Sequence, residues 1–346
     1  GAGAGAMSSD THGTDLADGD VLVTGAAGFI GSHLVTELRN SGRNVVAVDR
    51  RPLPDDLEST SPPFTGSLRE IRGDLNSLNL VDCLKNISTV FHLAALPGVR
   101  PSWTQFPEYL RCNVLATQRL MEACVQAGVE RVVVASSSSV YGGADGVMSE
   151  DDLPRPLSPY GVTKLAAERL ALAFAARGDA ELSVGALRFF TVYGPGQRPD
   201  MFISRLIRAT LRGEPVEIYG DGTQLRDFTH VSDVVRALML TASVRDRGSA
   251  VLNIGTGSAV SVNEVVSMTA ELTGLRPCTA YGSARIGDVR STTADVRQAQ
   301  SVLGFTARTG LREGLATQIE WTRRSLSGAE QDTVPVGGSS VSVPRL

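Results

Sequence analysis

The chain has little cysteine, little histidine, no long apolar run and no block of one charge, and each shortage closes off a class of function. Four cysteines in 346 residues, Cys83, Cys112, Cys124 and Cys278, stand too far apart for a Cys-x-x-Cys metal knuckle, and a chain of this length needs no disulfide staples. They read as reduced thiols, and no metal centre is expected. No apolar stretch approaches the roughly 18 residues of a membrane span. The 33 basic and 37 acidic side chains, net charge -4, are scattered, so nothing could neutralise a run of phosphates and nucleic acid is not expected as a partner. Residues 1–6, Gly-Ala repeated three times ahead of Met7, read as a vector-derived remnant. They lack the charged start and apolar stretch of a signal peptide, so the default compartment is the cytoplasm.

What is present is core material, with 42% apolar residues, enough for one large α/β domain or two smaller ones. Short β-rich runs at Val21–Thr24, Asn44–Asp49, Arg69–Gly73, Thr89–Leu93, Arg131–Ser136 and Leu182–Phe190 alternate with helical patterns. That rhythm predicts βαβ units and a Rossmann-type, doubly wound parallel sheet over residues 19–190. From Thr191 it breaks into glycine- and proline-rich loops with helices such as Phe202–Arg212. Residues 191–325 are read as a smaller C-terminal substrate-binding lobe with segments returning to the core, unable to continue the regular sheet. Residues 1–18 and 326–346 are expected to be flexible ends.

Thr24-Gly25-Ala26-Ala27-Gly28-Phe29-Ile30-Gly31 follows the first strand and opens a helix running to about Asn40. Glycines there permit a tight turn and let the backbone approach a pyrophosphate, whose charge the helix N-terminus then meets. Asp49 closes the second strand, where a carboxylate accepts bonds from ribose hydroxyls, which favours NAD over NADP. Arg50 and Arg51 either face a 2′-phosphate or belong to a solvated loop. Asp74 and Leu75 after the third strand, and Leu93, Ala94 and Ala95 after the fourth, stand at the carboxyl edge, where ligands sit in such sheets. His92 reads as a packed strand-end residue rather than a base.

Ser158-Pro159-Tyr160-Gly161-Val162-Thr163-Lys164 is the most informative stretch. Ser158 caps a helix with Pro159 in its first turn, and Tyr160 and Lys164, four apart, share one face. An ammonium near a phenol lowers the phenol's pKa and readies it as a base. Ser136-Ser137-Ser138-Ser139-Val140-Tyr141-Gly142 ends the fifth strand, and a hydroxyl there can relay a sugar proton to the tyrosine.

Together these motifs resemble the extended short-chain dehydrogenases/reductases of the NAD-dependent nucleotide-sugar epimerase/dehydratase group, over about Val21 to Trp321. The resemblance implies a catalytic set of Ser137, Tyr160 and Lys164, with Lys164 also holding the nicotinamide ribose and Asn113 buttressing the site. It implies a homodimer through helices flanking the sheet. Arg226, in Gly220 to Phe228, and Arg285, in Arg285-Ile286-Gly287-Asp288, look like the arginines that meet the diphosphate. The family usually has an Asn where this chain has Thr191. Asp233 reads as fixing the lobe to the sheet.

Dehydratases of the group carry an Asp-Glu pair, and decarboxylases a Glu, just before the Val-Tyr-Gly after the fifth strand. Ser138 and Ser139 stand there instead, and hydroxyls are poor acids and bases near neutrality. The chain looks most like UDP-glucuronate 4-epimerases, through Ala94 to Arg100, Ser136 to Gly142 and Arg188 to Met201. On that resemblance Ser137, Ser138, Ser139 and Arg198 surround the sugar carboxylate. The alternatives are a UDP-glucuronate decarboxylase, a neutral UDP-hexose 4-epimerase, or a non-catalytic NAD-binding regulator, which would have no need of both Tyr160 and Lys164.

Overall fold

A computed structural model describes residues 19–55, 65–143, 146–244, 248–284 and 289–331. Seven strands, β1 (Asp20–Thr24), β2 (Val45–Asp49), β3 (Leu68–Arg72), β4 (Ile87–His92), β5 (Arg131–Ser137), β6 (Ser183–Phe189) and β7 (Ala250–Ile254), form one sheet in the order β7-β6-β5-β4-β1-β2-β3. Every pairing in it is parallel. The order reverses between β1 and β4, which opens a crevice at the carboxyl ends of those two strands.

The alternation of side chains along each strand decides which helix covers which face. Val21, Val23, Phe91, Val133 and Leu187 point to one face, under α1 (Phe29–Asn40) and α5 (Val231–Ser243). Leu22, Val46, Val90, Val132 and Val134 point to the other, under α2 (Ala116–Ala127) and α3 (Pro159–Ala176). Each such side chain, fully buried, contributes about 1.5–3 kcal/mol of transfer free energy.

The lobe has a core of its own. Tyr193, Ile203, Leu206, Ile207, Phe228, Val265, Leu315 and Ile319 pack where α4 (Phe202–Arg212), α6 (Val262–Thr273) and α7 (Leu311–Gln331) meet. Gly213 ends α4 in the left-handed conformation, φ 68°, the usual reason a helix stops at glycine. Asp233 on α5 accepts from the amides of Arg308 and Thr309 at 3.0 Å each, fixing the approach to α7.

Two expectations need correction. The second half does continue the sheet: β7 pairs in parallel with β6, Ala250 opposite Gly185 through Ile254 opposite Phe189, and α5 is its crossover helix. Ala250–Ile254 is strand-like but short, and the polar Asn253 interrupts its apolar run. The tail boundary was also set early, because α7 continues through residues 326–331. Residues 1–18 and 332–346 lie outside the described residues.

Candidate active site

At the mouth of the crevice, Gly25 turns the chain with φ +69°, and a Cβ there would lie 2.7 Å from the Ala94 amide nitrogen. Only glycine lets the β1 turn lie against the end of β4. Gly28, the N-cap of α1, brings no side chain to its first turn, so the amides of Phe29, Ile30 and Gly31 are left to meet an anion. Asp49 is held beside that turn, its Oδ2 accepting from Ala27 N and its Oδ1 from Arg51 N, both at 2.9 Å. A bare, amide-lined turn with a carboxylate at its flank fits a dinucleotide's pyrophosphate and ribose.

Beyond Asp49 the structure brings together a charge cluster that the sequence reading missed. Arg111 Nη1 donates to Asp74 at 2.9 Å and its other nitrogens to Glu108 at 2.9 and 2.7 Å. Arg50 reaches the same two acids at 3.8 and 3.5 Å. Arg50 is thus engaged by carboxylates, and Asp74, which burial alone would raise, is held below its usual range by the Asn76 amide and Arg111. Leu75 turns into the core, whereas Leu93, Ala94 and Ala95 are half-buried at the crevice.

Ser158 caps α3 as its sequence suggests, its Oγ accepting from Gly161 N at 3.0 Å, with Pro159 in the first turn. Gly161 serves a different need: a Cβ on it would come within 2.7 Å of the Ser139 carbonyl oxygen. A bare backbone here lets α3 press against the serine turn, where Ser137 Oγ accepts from Ser139 N at 3.1 Å. The hydroxyl of Ser137 faces the Tyr160 phenol and favours its ionised form. Ser136 points away, donating to the buried Glu168 at 2.6 Å, and Glu168 is doubly bonded by Arg188.

The electrostatics of the pair differ from the sequence expectation. Lys164 Nζ donates to the Ala135 carbonyl at 2.6 Å, and burial pulls its pKa down to about 8. It is not among the charges acting on Tyr160. Burial therefore dominates at Tyr160 and raises its pKa, with Ser137 and then Arg198 pulling the other way. The i, i+4 spacing places both groups on one face, but the carbonyl takes the ammonium.

Asn113 lies in a π-helical turn, Leu110–Leu115, that leads into α2; such turns recur at functional sites. Its Oδ1 accepts from Leu96 N at 2.7 Å and its Nδ2 donates to Thr163 Oγ1 at 3.1 Å. It braces α3 one residue before Lys164 and does so from beneath. His92 is buried, bonded to Thr24 at 2.7 Å and Thr117 at 2.8 Å, as befits a packed strand end.

On the lobe side, Thr191 sits in the short strand Thr191–Tyr193, paired with Phe228–His230. Arg198 is close enough to act on Tyr160 and Tyr109, and its Nε donates to Asp200 at 3.0 Å. Arg226 lies half-buried in the strand Leu225–Arg226. Beside it the buried Asp227 accepts from Thr256, Gly257 and Ala294 amides. Arg285 and Asp288 lie outside the described residues.

Residues 21–255 match the model of the NAD dependent epimerase/dehydratase family. A solved structure of MoeE5, in complex with UDP-glucose and NAD, has a TM-score of 0.85 and 97% identity over 89% of this chain and all of that one. The same protein is also solved with UDP-glucuronic acid and NAD. The UDP-glucuronic acid 4-epimerase of Bacillus cereus, in complex with UDP-glucuronic acid and NAD, is 38% identical with a TM-score of 0.82, covering 88% and 99% of the two chains. A Bacillus subtilis protein described as an uncharacterised UDP-glucose epimerase is 39% identical over 87% of this chain and 97% of its own.

Proposed function

The chain belongs to the NAD dependent epimerase/dehydratase family, and on that premise we propose that it interconverts UDP-glucuronate and UDP-galacturonate by epimerisation at C4. The observation that carries this reading is the junction of β5 and α3. The Ser137 hydroxyl faces the Tyr160 phenol there, with Lys164 one helical turn on and bonded to the Ala135 carbonyl, while positions 138 and 139 hold hydroxyls where dehydration or decarboxylation would need carboxylates. A protein 97% identical to this one binds UDP-glucuronic acid with NAD.

NAD, when bound, would supply an acceptor for the C4 hydride and a donor back to the same carbon, the configuration inverting because the 4-keto sugar turns to present its other face before re-reduction. Tyr160 takes the proton from the 4-hydroxyl, with Ser137 as its hydrogen-bonding relay, and gives it back on re-reduction. Lys164, anchored on the Ala135 carbonyl, supplies a donor for the nicotinamide ribose. Ser137, Ser138, Ser139 and Arg198 hold the sugar carboxylate, and Thr191, Arg226, Arg285 and Asp288 belong to the diphosphate end. A 4-keto uronate is a β-keto acid, and a hydrogen-bonded carboxylate resists losing its charge into the ring as carbon dioxide leaves.

A neutral UDP-hexose 4-epimerase is the second reading. It is favoured by the pairing of Arg198 with Asp200, which offsets the charge a uronate would meet, and by the UDP-glucose complex of MoeE5. Homodimerisation fits the exposed Leu110, Leu115 and Val162 beside α2 and α3, and four free thiols fit the cytoplasm. Among the described residues no helix is long and apolar enough to cross a membrane.

The deciding experiment feeds UDP-glucuronate labelled with deuterium at C4. Reversible formation of UDP-galacturonate, with the label retained and little carbon dioxide, is the expected result. Carbon dioxide as the main product, or label lost to water, defeats the reading, and equal turnover of UDP-glucose transfers it to the neutral-sugar alternative.

A further inference from the structure

The N-terminus of α3 is tied down from outside its own sequence. Pro159 has no amide proton, Gly161 N bonds to Ser158 Oγ, and Val162 N bonds to the Ser158 carbonyl. The remaining first-turn donor is the amide of Tyr160 itself. It donates at 3.1 Å to the hydroxyl of Ser102, a fully buried side chain 58 residues earlier that in turn donates to the Val99 carbonyl. A buried amide needs a partner, and no neighbour on α3 provides one.

The segment around Ser102 touches the site at two further points. Tyr109 packs its ring edge-on against that of Tyr160, centroids 6.4 Å apart, and its hydroxyl donates to the Pro97 carbonyl at 2.6 Å. Arg100, two residues before Ser102, lies over the ring of Tyr219 in the lobe, 4.5 Å from its centroid. One segment, Arg100 to Tyr109, thus spans from the substrate lobe to the backbone and ring of Tyr160.

We propose that Ser102 is a positioning residue for Tyr160: its buried hydroxyl fixes the backbone from which the proton-accepting phenol projects, so that the loop carrying Arg100 sets the height of Tyr160 over the crevice. This rests on the reading of Tyr160 as the proton acceptor. Near-attack geometry is steep, and a shift of about 1 Å costs on the order of a hundred-fold in rate, so a lost tether that lets the helix end wander is visible in turnover.

The test is Ser102→Ala in the full chain, read by residue-resolved amide exchange and by kinetics on UDP-glucuronate and, in parallel, UDP-glucose. Faster exchange confined to the Tyr160 amide, with Gly161 and Val162 still protected, is expected to accompany a fall in kcat of about ten-fold or more at unchanged KM and unchanged NAD occupancy. Unchanged exchange at Tyr160, exchange raised along the whole of α3, or a wild-type kcat despite faster exchange at Tyr160 each overturns the positioning role. Wild-type turnover of UDP-glucose alone defeats the uronate reading and moves the kinetic comparison to that substrate. Inactivity of the wild type on both defeats the functional reading, and the positioning role falls with it.

Discussion

The Lys164 ammonium donates to the Ala135 carbonyl oxygen at 2.6 Å, at the carboxyl end of β5. The side chain is 7% exposed, and burial lowers its pKa from 10.5 to about 8. Between those values the unfolded chain holds more protons than the folded one, so stability rises with pH across that window. Below pH 8 the buried charge costs the fold about 3 kcal/mol. Lys164→Met is therefore expected to unfold at higher denaturant than wild type at pH 7, by on the order of 1–3 kcal/mol after loss of the carbonyl bond, while losing activity. The advantage should shrink toward pH 10. A variant no more stable than wild type at pH 7 means the ammonium is better compensated than its surroundings indicate.

Tyr160→Phe keeps the ring that packs on Tyr109 and the amide that Ser102 holds, and removes only the proton acceptor. Turnover should fall by about two orders of magnitude or more, with NAD content of the purified protein unchanged. Turnover within a few-fold of wild type takes Tyr160 out of the chemistry.

The dinucleotide turn and the Tyr160–Lys164 helix were legible in the sequence because both are local. Glycine placement after a strand and a Ser-Pro helix start are each fixed within a few residues. What was not legible joins distant segments. The grip of Ser102 on the Tyr160 amide and the cluster of Arg111 with Asp74 and Glu108 depend on how residues 100–111 pack against α3 and the end of β3, which no spacing encodes. The direction of the Lys164 ammonium was missed for a related reason, since its acceptor is a backbone carbonyl of another element. β7 is not legible because its short apolar run is broken by Asn253 and, lying between loops, resembles many that are not strands.

Asp49 gives both carboxylate oxygens to backbone amides of the first and second turns, so its removal should loosen the turn as well as delete ribose contacts. Asp49→Ala is expected to weaken NAD binding by on the order of 1–3 kcal/mol, measured by titration of cofactor-stripped protein. Unchanged affinity would show that the ribose lies elsewhere.

His92 gives an acid-side signature of its own. Burial, and then the charge of Lys164, lower its pKa from 6.5 to about 3. Below pH 6.5 the unfolded chain takes up a proton that the folded one refuses, so stability falls with pH by about 1.4 kcal/mol per unit until pH 3. Between pH 6.5 and 4.5 the wild type should lose roughly 2–3 kcal/mol more than His92→Gln, which has no proton to bind. Parallel stability curves for the two proteins would mean His92 ionises freely in the fold.

Arg198 offers the sharpest discrimination between the two substrate readings, because its charge reaches Tyr160 while its guanidinium is already bonded to Asp200. A uronate carboxylate arriving there must share the guanidinium with Asp200, whereas a neutral hexose finds the charge already offset. If the carboxylate is held by Arg198, Arg198→Ala should cost UDP-glucuronate about 1.5–3 kcal/mol in kcat/KM, the worth of one hydrogen bond to a charged group, and leave UDP-glucose nearly unaffected. Asp200→Asn should act in the opposite direction, freeing the guanidinium and improving kcat/KM for the uronate. The two variants together separate a carboxylate clamp from a merely structural ion pair: loss of the pair alone predicts that both substitutions lower kcat/KM for both sugars alike, and that result would remove Arg198 from substrate selection.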